Sequence, residues 1–75
     1  MIIEVKATVT EYKPNHCNIE YQRRDNYGTW EPNGVSGMYG TKDKVVKMKI
    51  EGMTRWGWTM YDMESDNTMT FWKEL

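Results

Sequence analysis

Alternation with a period of two runs through most of the chain. Residues 2–12 put Ile3, Val5, Ala7 and Val9 on one parity and Glu4, Lys6, Thr8 and Thr10 on the other, the pattern of a half-buried strand. Lys13-Pro14-Asn15 supplies a turn, because proline fixes its own φ and biases the preceding residue towards extended geometry. A second run over 16–24 sets Cys17, Ile19 and Tyr21 against Asn18, Glu20 and Gln22. Together the two predict an N-terminal hairpin.

The C-terminal part reads as a three-stranded meander over 44–50, 53–62 and 68–74, with Glu64-Ser65-Asp66-Asn67 as its second turn. Val46, Met48 and Ile50 alternate with Lys47, Lys49 and Glu51, and Trp56, Trp58 and Met60 share one parity further on. On the last strand Met69 and Phe71 oppose Thr68, Thr70 and Trp72. Gly52 lies between the first two runs, and the loop it closes decides which faces meet. A two-residue Glu51-Gly52 loop would place both tryptophans with the lysines. A three-residue Ile50-Glu51-Gly52 loop with a left-handed glycine aligns them with the apolar residues, and turn chemistry favours it. Trp56 and Trp58 are therefore expected in the core. A helix over 42–51, capped by Thr41 or Asp43 and ended by Gly52, is the competing reading. It is set aside because Val45, Val46, Met48 and Ile50 spread over about 200° of a helical wheel.

Residues 25–41 break the alternation. Gly28, Gly34, Gly37 and Gly40 fall here with Pro32, Asn26 and Asn33, interspersed with Tyr27, Trp30, Val35, Met38 and Tyr39. The expectation is a long loop, or two turns around a short strand near 35–39, with its aromatics either functional or folded inward. The fold class that follows is all-β: one domain over residues 1–75, a small antiparallel five- or six-stranded barrel or bent sheet. It consists of an N-terminal hairpin plus a C-terminal three-stranded meander, with little or no helix.

At 75 residues the chain is near the lower limit for a self-supporting core, so four Trp, five Tyr and seven Met carry much of its stability. Ten basic against eleven acidic residues give no overall charge that would draw it to nucleic acid or an anionic membrane. No apolar run approaches a membrane span, and residues 1–10 alternate as a strand rather than as a signal peptide. A single cysteine, Cys17, excludes an internal disulfide and points to a cytoplasmic location.

Candidate chemistry is sparse. His16 and Cys17 are adjacent, so on a strand they face opposite ways and cannot form a nucleophile–base pair, and they are too few for a zinc site. Asp62-Met63-Glu64-Ser65-Asp66 resembles the opening of an EF-hand loop, but Asn67 and Lys73 stand where glycine and glutamate belong, so a solvated acidic turn is expected. Gly34, Gly37 and Gly40 lack the lysine and following helix of a phosphate cradle. Neither a metal nor a cofactor is expected, and no residue set supplies a nucleophile, base and anion stabiliser.

Three functions are weighed. The first is a non-enzymatic protein-binding module: an inhibitor, adaptor or accessory protein, as small virus-encoded regulators are, that covers a partner's surface. Tyr27, Trp30, Met38, Tyr39, Arg55 and Trp72 are its candidate contacts, since such residue types dominate interface energetics. The second is single-stranded nucleic-acid binding through Arg23, Arg24, Lys47, Lys49 and Arg55, with Tyr61 for stacking. The third is sequestration of a small aromatic ligand or nucleotide between Trp30, Tyr39 and the glycine-rich segment. Unpaired strand edges leave room for a homodimer.

Overall fold

Five strands and one helix make up the computed structural model, which describes all residues, Met1–Leu75. They are β1 (Ile2–Lys13), β2 (His16–Asp25), β3 (Glu31–Tyr39), α1 (Lys42–Arg55), β4 (Thr59–Ser65) and β5 (Thr68–Glu74). All strand pairs are antiparallel, in the order β3-β2-β1-β5-β4. The sheet is open, with β3 and β4 at its edges, so the mostly-β expectation holds and closure into a barrel is not seen.

The N-terminal hairpin forms as its alternation dictates. Val5 pairs with Arg23, Ala7 with Tyr21 and Val9 with Ile19, and Asn15 takes a left-handed φ of 63° in the tight turn. On the other side of β1, Val5 meets Phe71 and Ala7 meets Met69. Ala7, Val9, Cys17, Ile19, Met69 and Phe71 thus share one face, and α1 covers it with Val45 and Val46.

That helix corrects the C-terminal expectation. Residues 44–50 are not a strand, the C-terminal part is a hairpin (β4–β5) rather than a three-stranded meander, and Gly52 lies inside α1 rather than in a turn. The apolar face is in fact narrow. Met48 is exposed, whereas Val45, Val46, Ile50 and Met53 are the residues against the core, and they span about 140° of the wheel at ~100° per residue. Including Met48 and stopping before Met53 widened the arc. Thr41 caps the first turn, its Oγ1 accepting from Lys44 N at 3.4 Å, with Asp43 in the first turn and Arg55 in the last.

Trp56-Gly57-Trp58 is the stop signal of this helix. Gly57 has φ +90°; its N–H donates to Thr54 O at 3.0 Å, and Trp58 N–H donates to Met53 O at 3.0 Å. This is the Schellman arrangement, in which a left-handed glycine lets the chain satisfy the last carbonyls. Trp58 and Met53 both pack on the core, as the motif's hydrophobic contact requires. The expectation of two core tryptophans is corrected: Trp58 is half-buried, but Trp56 is 78% exposed. Strand structure resumes only at Thr59.

Residues 25–41 are more ordered than a loop. β3 runs along β2 from Glu31 to Tyr39, and its register shift, with Glu20 opposite Val35 and Gln22 opposite Pro32, is taken up where Gly34 has φ +102°. Of the four glycines there, Gly34 and Gly37 lie in this bulged edge strand, and Gly28 and Gly40 lie outside its two ends.

One carboxylate joins the two ends of this architecture. Glu11 accepts from Lys42 N at 2.7 Å and from Asn15 N at 3.2 Å, tying the β1–β2 turn to the start of α1. These backbone hydrogen bonds hold its acid below the ordinary carboxylate range. A depressed folded-state value stabilises the fold above the unfolded-state value, and that contribution disappears as pH falls through the folded-state value. Urea midpoints measured from about pH 5 down to about pH 3 should therefore fall more steeply for the parent protein than for Glu11→Gln. Parallel profiles would refute the clamp.

Candidate open-face aromatic recess

The face of the sheet away from α1 has no helix over it. Parity and register place Ile2, Glu4 and Lys6 of β1, Arg24 of β2 and Trp72 and Glu74 of β5 on this side. Such a face is ordinarily solvated and polar. Here its middle is closed: Glu4 is 2% exposed, and Thr70, opposite Lys6, is buried as well. Glu4 was expected on the wet side of a half-buried strand, and that is corrected. β1 is the central strand, and residues from both flanks lean over it.

Both carboxylate oxygens of Glu4 are engaged. Arg24 donates to Glu4 through Nε at 2.7 Å and through Nη2 at 3.2 Å, and the Tyr61 hydroxyl donates to the same carboxylate. The hydrogen bonds to Glu4 raise Arg24 above its already high ordinary value. Arg24 also lies 4.5 Å from the Trp30 ring centroid and 5.9 Å from that of Tyr27. Lys6 Nζ sits 4.6 Å over Trp30 and pairs with Glu64 at 2.9 Å.

Two bulges in β4 make these contacts. Met60 opposes Phe71 while Asp62 opposes Thr70, leaving Tyr61 as an extra residue; Met63 opposes Met69 while Ser65 opposes Thr68, leaving Glu64. Bulges re-aim side chains, and both of these extra residues reach β1. Ile2, Glu4, Arg24, Tyr27, Tyr61, Trp72 and Glu74 then line a recess of about 450 Å³. Tyr27 is held there at a backbone cost. It and Asn26 have φ of 60° and 48° in the turn closed by Gly28 N–H to Asp25 O at 3.0 Å. A bulky non-glycine residue in that region is strained.

Of the protein-contact candidates, Tyr27, Trp30 and Trp72 come together on this face through Arg24 and the recess. Tyr39 does not join them. It stands at the other end of β3, 74% exposed, its ring 4.6 Å from that of His16. Met38 packs under the helix and Arg55 ends it. Trp30 and Tyr39 bracket β3, about 30 Å apart at ~3.3 Å per residue, so one chain does not clamp a flat ligand between them.

The nucleic-acid candidates are also dispersed. Lys47 and Lys49 share a face only on a strand; on helix α1 positions two apart diverge by about 200°. Lys49 turns to the Tyr21 ring, Arg23 pairs with Asp25 at 2.9 Å, Arg24 is committed to Glu4, and Tyr61 is on the opposite face from the helix. His16 Nδ1 lies 3.0 Å from Pro14 O, while Cys17 is buried and donates to Gly40 O at 3.3 Å. Burial raises the Cys17 thiol, so it stays protonated. Of the EF-hand-like carboxylates, Glu64 goes to Lys6 and Asp66 to Lys42 at 2.6 Å.

Glu4, Ile2 and Glu74 were missed as site residues. The doublet Ile2-Ile3 was the available sign, since adjacent apolar residues put one on each face and mark a strand covered on both sides. No helix in the structure is long and apolar enough to cross a membrane. Comparison with family models, curated proteins and solved structures gives no match, so the functional reading rests on the geometry of this face.

Proposed function

We propose that this chain is a non-enzymatic, cytoplasmic protein-binding module that acts as an inhibitor or adaptor by covering a partner protein with the open face of its sheet. The observation that carries this reading is the convergence of Tyr27, Trp30, Tyr61, Trp72 and Arg24 on one face, where the buried Glu4 carboxylate holds Arg24 and Tyr61. Tyr, Trp and Arg are the residue types on which interface energy concentrates, and rings fixed in advance lose little entropy on binding. A strained Tyr27 backbone supports a role for its side chain, because glycine or asparagine would suit the turn better.

Affinity capture from lysate, followed by binding measurements on the captured protein, tests it. Trp72→Ala is expected to weaken the complex about 30-fold or more, as loss of a hot spot of about 2 kcal/mol does. Lys47→Glu with Lys49→Glu on the helix should leave it unchanged, and nuclease and raised salt should not abolish it. Capture that is lost with nuclease, or that depends on the helix lysines and not on Trp72, would establish the nucleic-acid reading instead.

A further inference from the structure

The two layers of the molecule differ in charge. Helix α1 carries Lys42, Lys44, Lys47, Lys49 and Arg55 against Asp43 and Glu51. On the open face both cations are neutralised, Arg24 by Glu4 and Lys6 by Glu64. Glu20, which opposes Thr8, Asp62, which opposes Thr70, and Glu74, which opposes Ile2, remain on that side without an ion pair. Of these, Glu74 lines the aromatic recess. The recess therefore presents ring faces together with one uncompensated negative charge.

The fold already contains a cation held by the same groups. Arg24 stacks near Trp30 and Tyr27 and forks onto a carboxylate, which matches the planar, weakly hydrated guanidinium better than an ammonium. Trp72, Tyr61 and Glu74 offer a second set of this kind, open to solvent, with Trp72 at 37% and Tyr61 at 50% exposure.

We propose that the recess between Tyr61, Trp72 and Glu74 is an arginine-binding site, which takes the guanidinium of an arginine projecting from a basic surface of the partner protein. The guanidinium lies against the Trp72 and Tyr61 rings, whose quadrupoles favour a cation, and donates to Glu74. The remaining carboxylates of the face, Glu20 and Asp62, favour a partner with further positive charge around that arginine. This deepens the protein-binding reading and rests on it.

The test uses N-acetyl-L-arginine amide as the probe and the full chain labelled with ¹⁵N. Titration should shift the Trp72 indole N–H resonance, saturably and in the millimolar range, with smaller movements at the Glu74 and Tyr61 amides. N-acetyl-L-citrulline amide, of nearly the same shape and without charge, should leave them in place. Glu74→Gln, at an exposed position that holds nothing in the fold, should weaken the arginine response about fivefold, and Trp72→Ala should abolish the remaining shifts on this face. Equal responses to arginine and citrulline, shifts confined to α1, or no response at soluble concentrations would each overturn the assignment. Absence of the arginine response while partner capture still depends on Trp72 would overturn the cation and leave the module reading standing. Capture independent of Trp72 would remove the module reading itself.

Discussion

Phe71→Ala is expected to cost about 3–5 kcal/mol, the range for removing a buried phenyl ring. Phe71 is fully buried on the helix-covered face, opposite Val5 on one side and Met60 on the other. A chain of this length has roughly 4–11 kcal/mol of stability in total at ~0.05–0.15 kcal/mol per residue. The loss is about a quarter of that total or more, so the thermal midpoint followed by circular dichroism should fall by about 12 °C or more. Trp56→Ala should fall within about 0.5 kcal/mol of the parent protein, since that indole is 78% exposed beyond the helix end. In a β-hairpin arrangement of residues 44–61 the order of the two tryptophans and Phe71 would be different, with Trp56 among the costly positions. A large loss at Trp56 would contradict the helix.

The second large effect is on the other face. Glu4→Ala should destabilise the protein by about 2–4 kcal/mol, because it strands a guanidinium and a hydroxyl that have no other carboxylate. Breaking a fully buried pair costs about 3–5 kcal/mol, but the Arg24 side chain keeps 26% exposure and recovers part of its hydration. Glu4→Leu combined with Arg24→Leu should cost less than Glu4→Ala alone, since the desolvation penalty leaves with the pair. Urea midpoints of the three proteins decide this. A double variant as unstable as the single one would mean that the pair itself, and not the orphaned charge, supports the fold. Either result bears on the recess, because Glu4 also holds the Tyr61 ring in place.

The two halves of the chain were legible to different degrees, for a physical reason. In β1 and β2 the alternation is strict and the partner is the neighbouring segment, so Val9 against Ile19 follows once the Pro14-Asn15 turn is placed. In residues 42–58 lysines recur at spacings that suit either period, and the choice depends on which apolar residues are inside. Met48 is outside and Met53 is inside, and only packing against β1, β2 and β5 distinguishes them. Gly52, five residues before Gly57, lies inside the helix and does not end it. Gly57, followed by an aromatic and preceded by Arg55, is the one whose position fits a helix end.

The recess follows the same division. Tyr27, Trp30 and Trp72 were visible as large residues in polar surroundings, and the chemistry of each is local. Their meeting with Tyr61 and Glu74 depends on β5 lying beside β1, a non-local pairing, and on the two bulges of β4. Glu4 could not be read as buried, because alternation reports one dry face and is silent about what crosses the other.

What the sequence determined by itself was the strand character of both ends, the first and last turns, the near-neutral charge and the lack of disulfide staples, all set by residue type and nearest-neighbour spacing. Tertiary structure alone decided that residues 42–55 coil, that β1 occupies the centre, and that one carboxylate gathers an arginine and a tyrosine from strands on either side. Those outcomes depend on burial against segments distant in the chain, where the free energy of packing exceeds the small differences in local backbone preference.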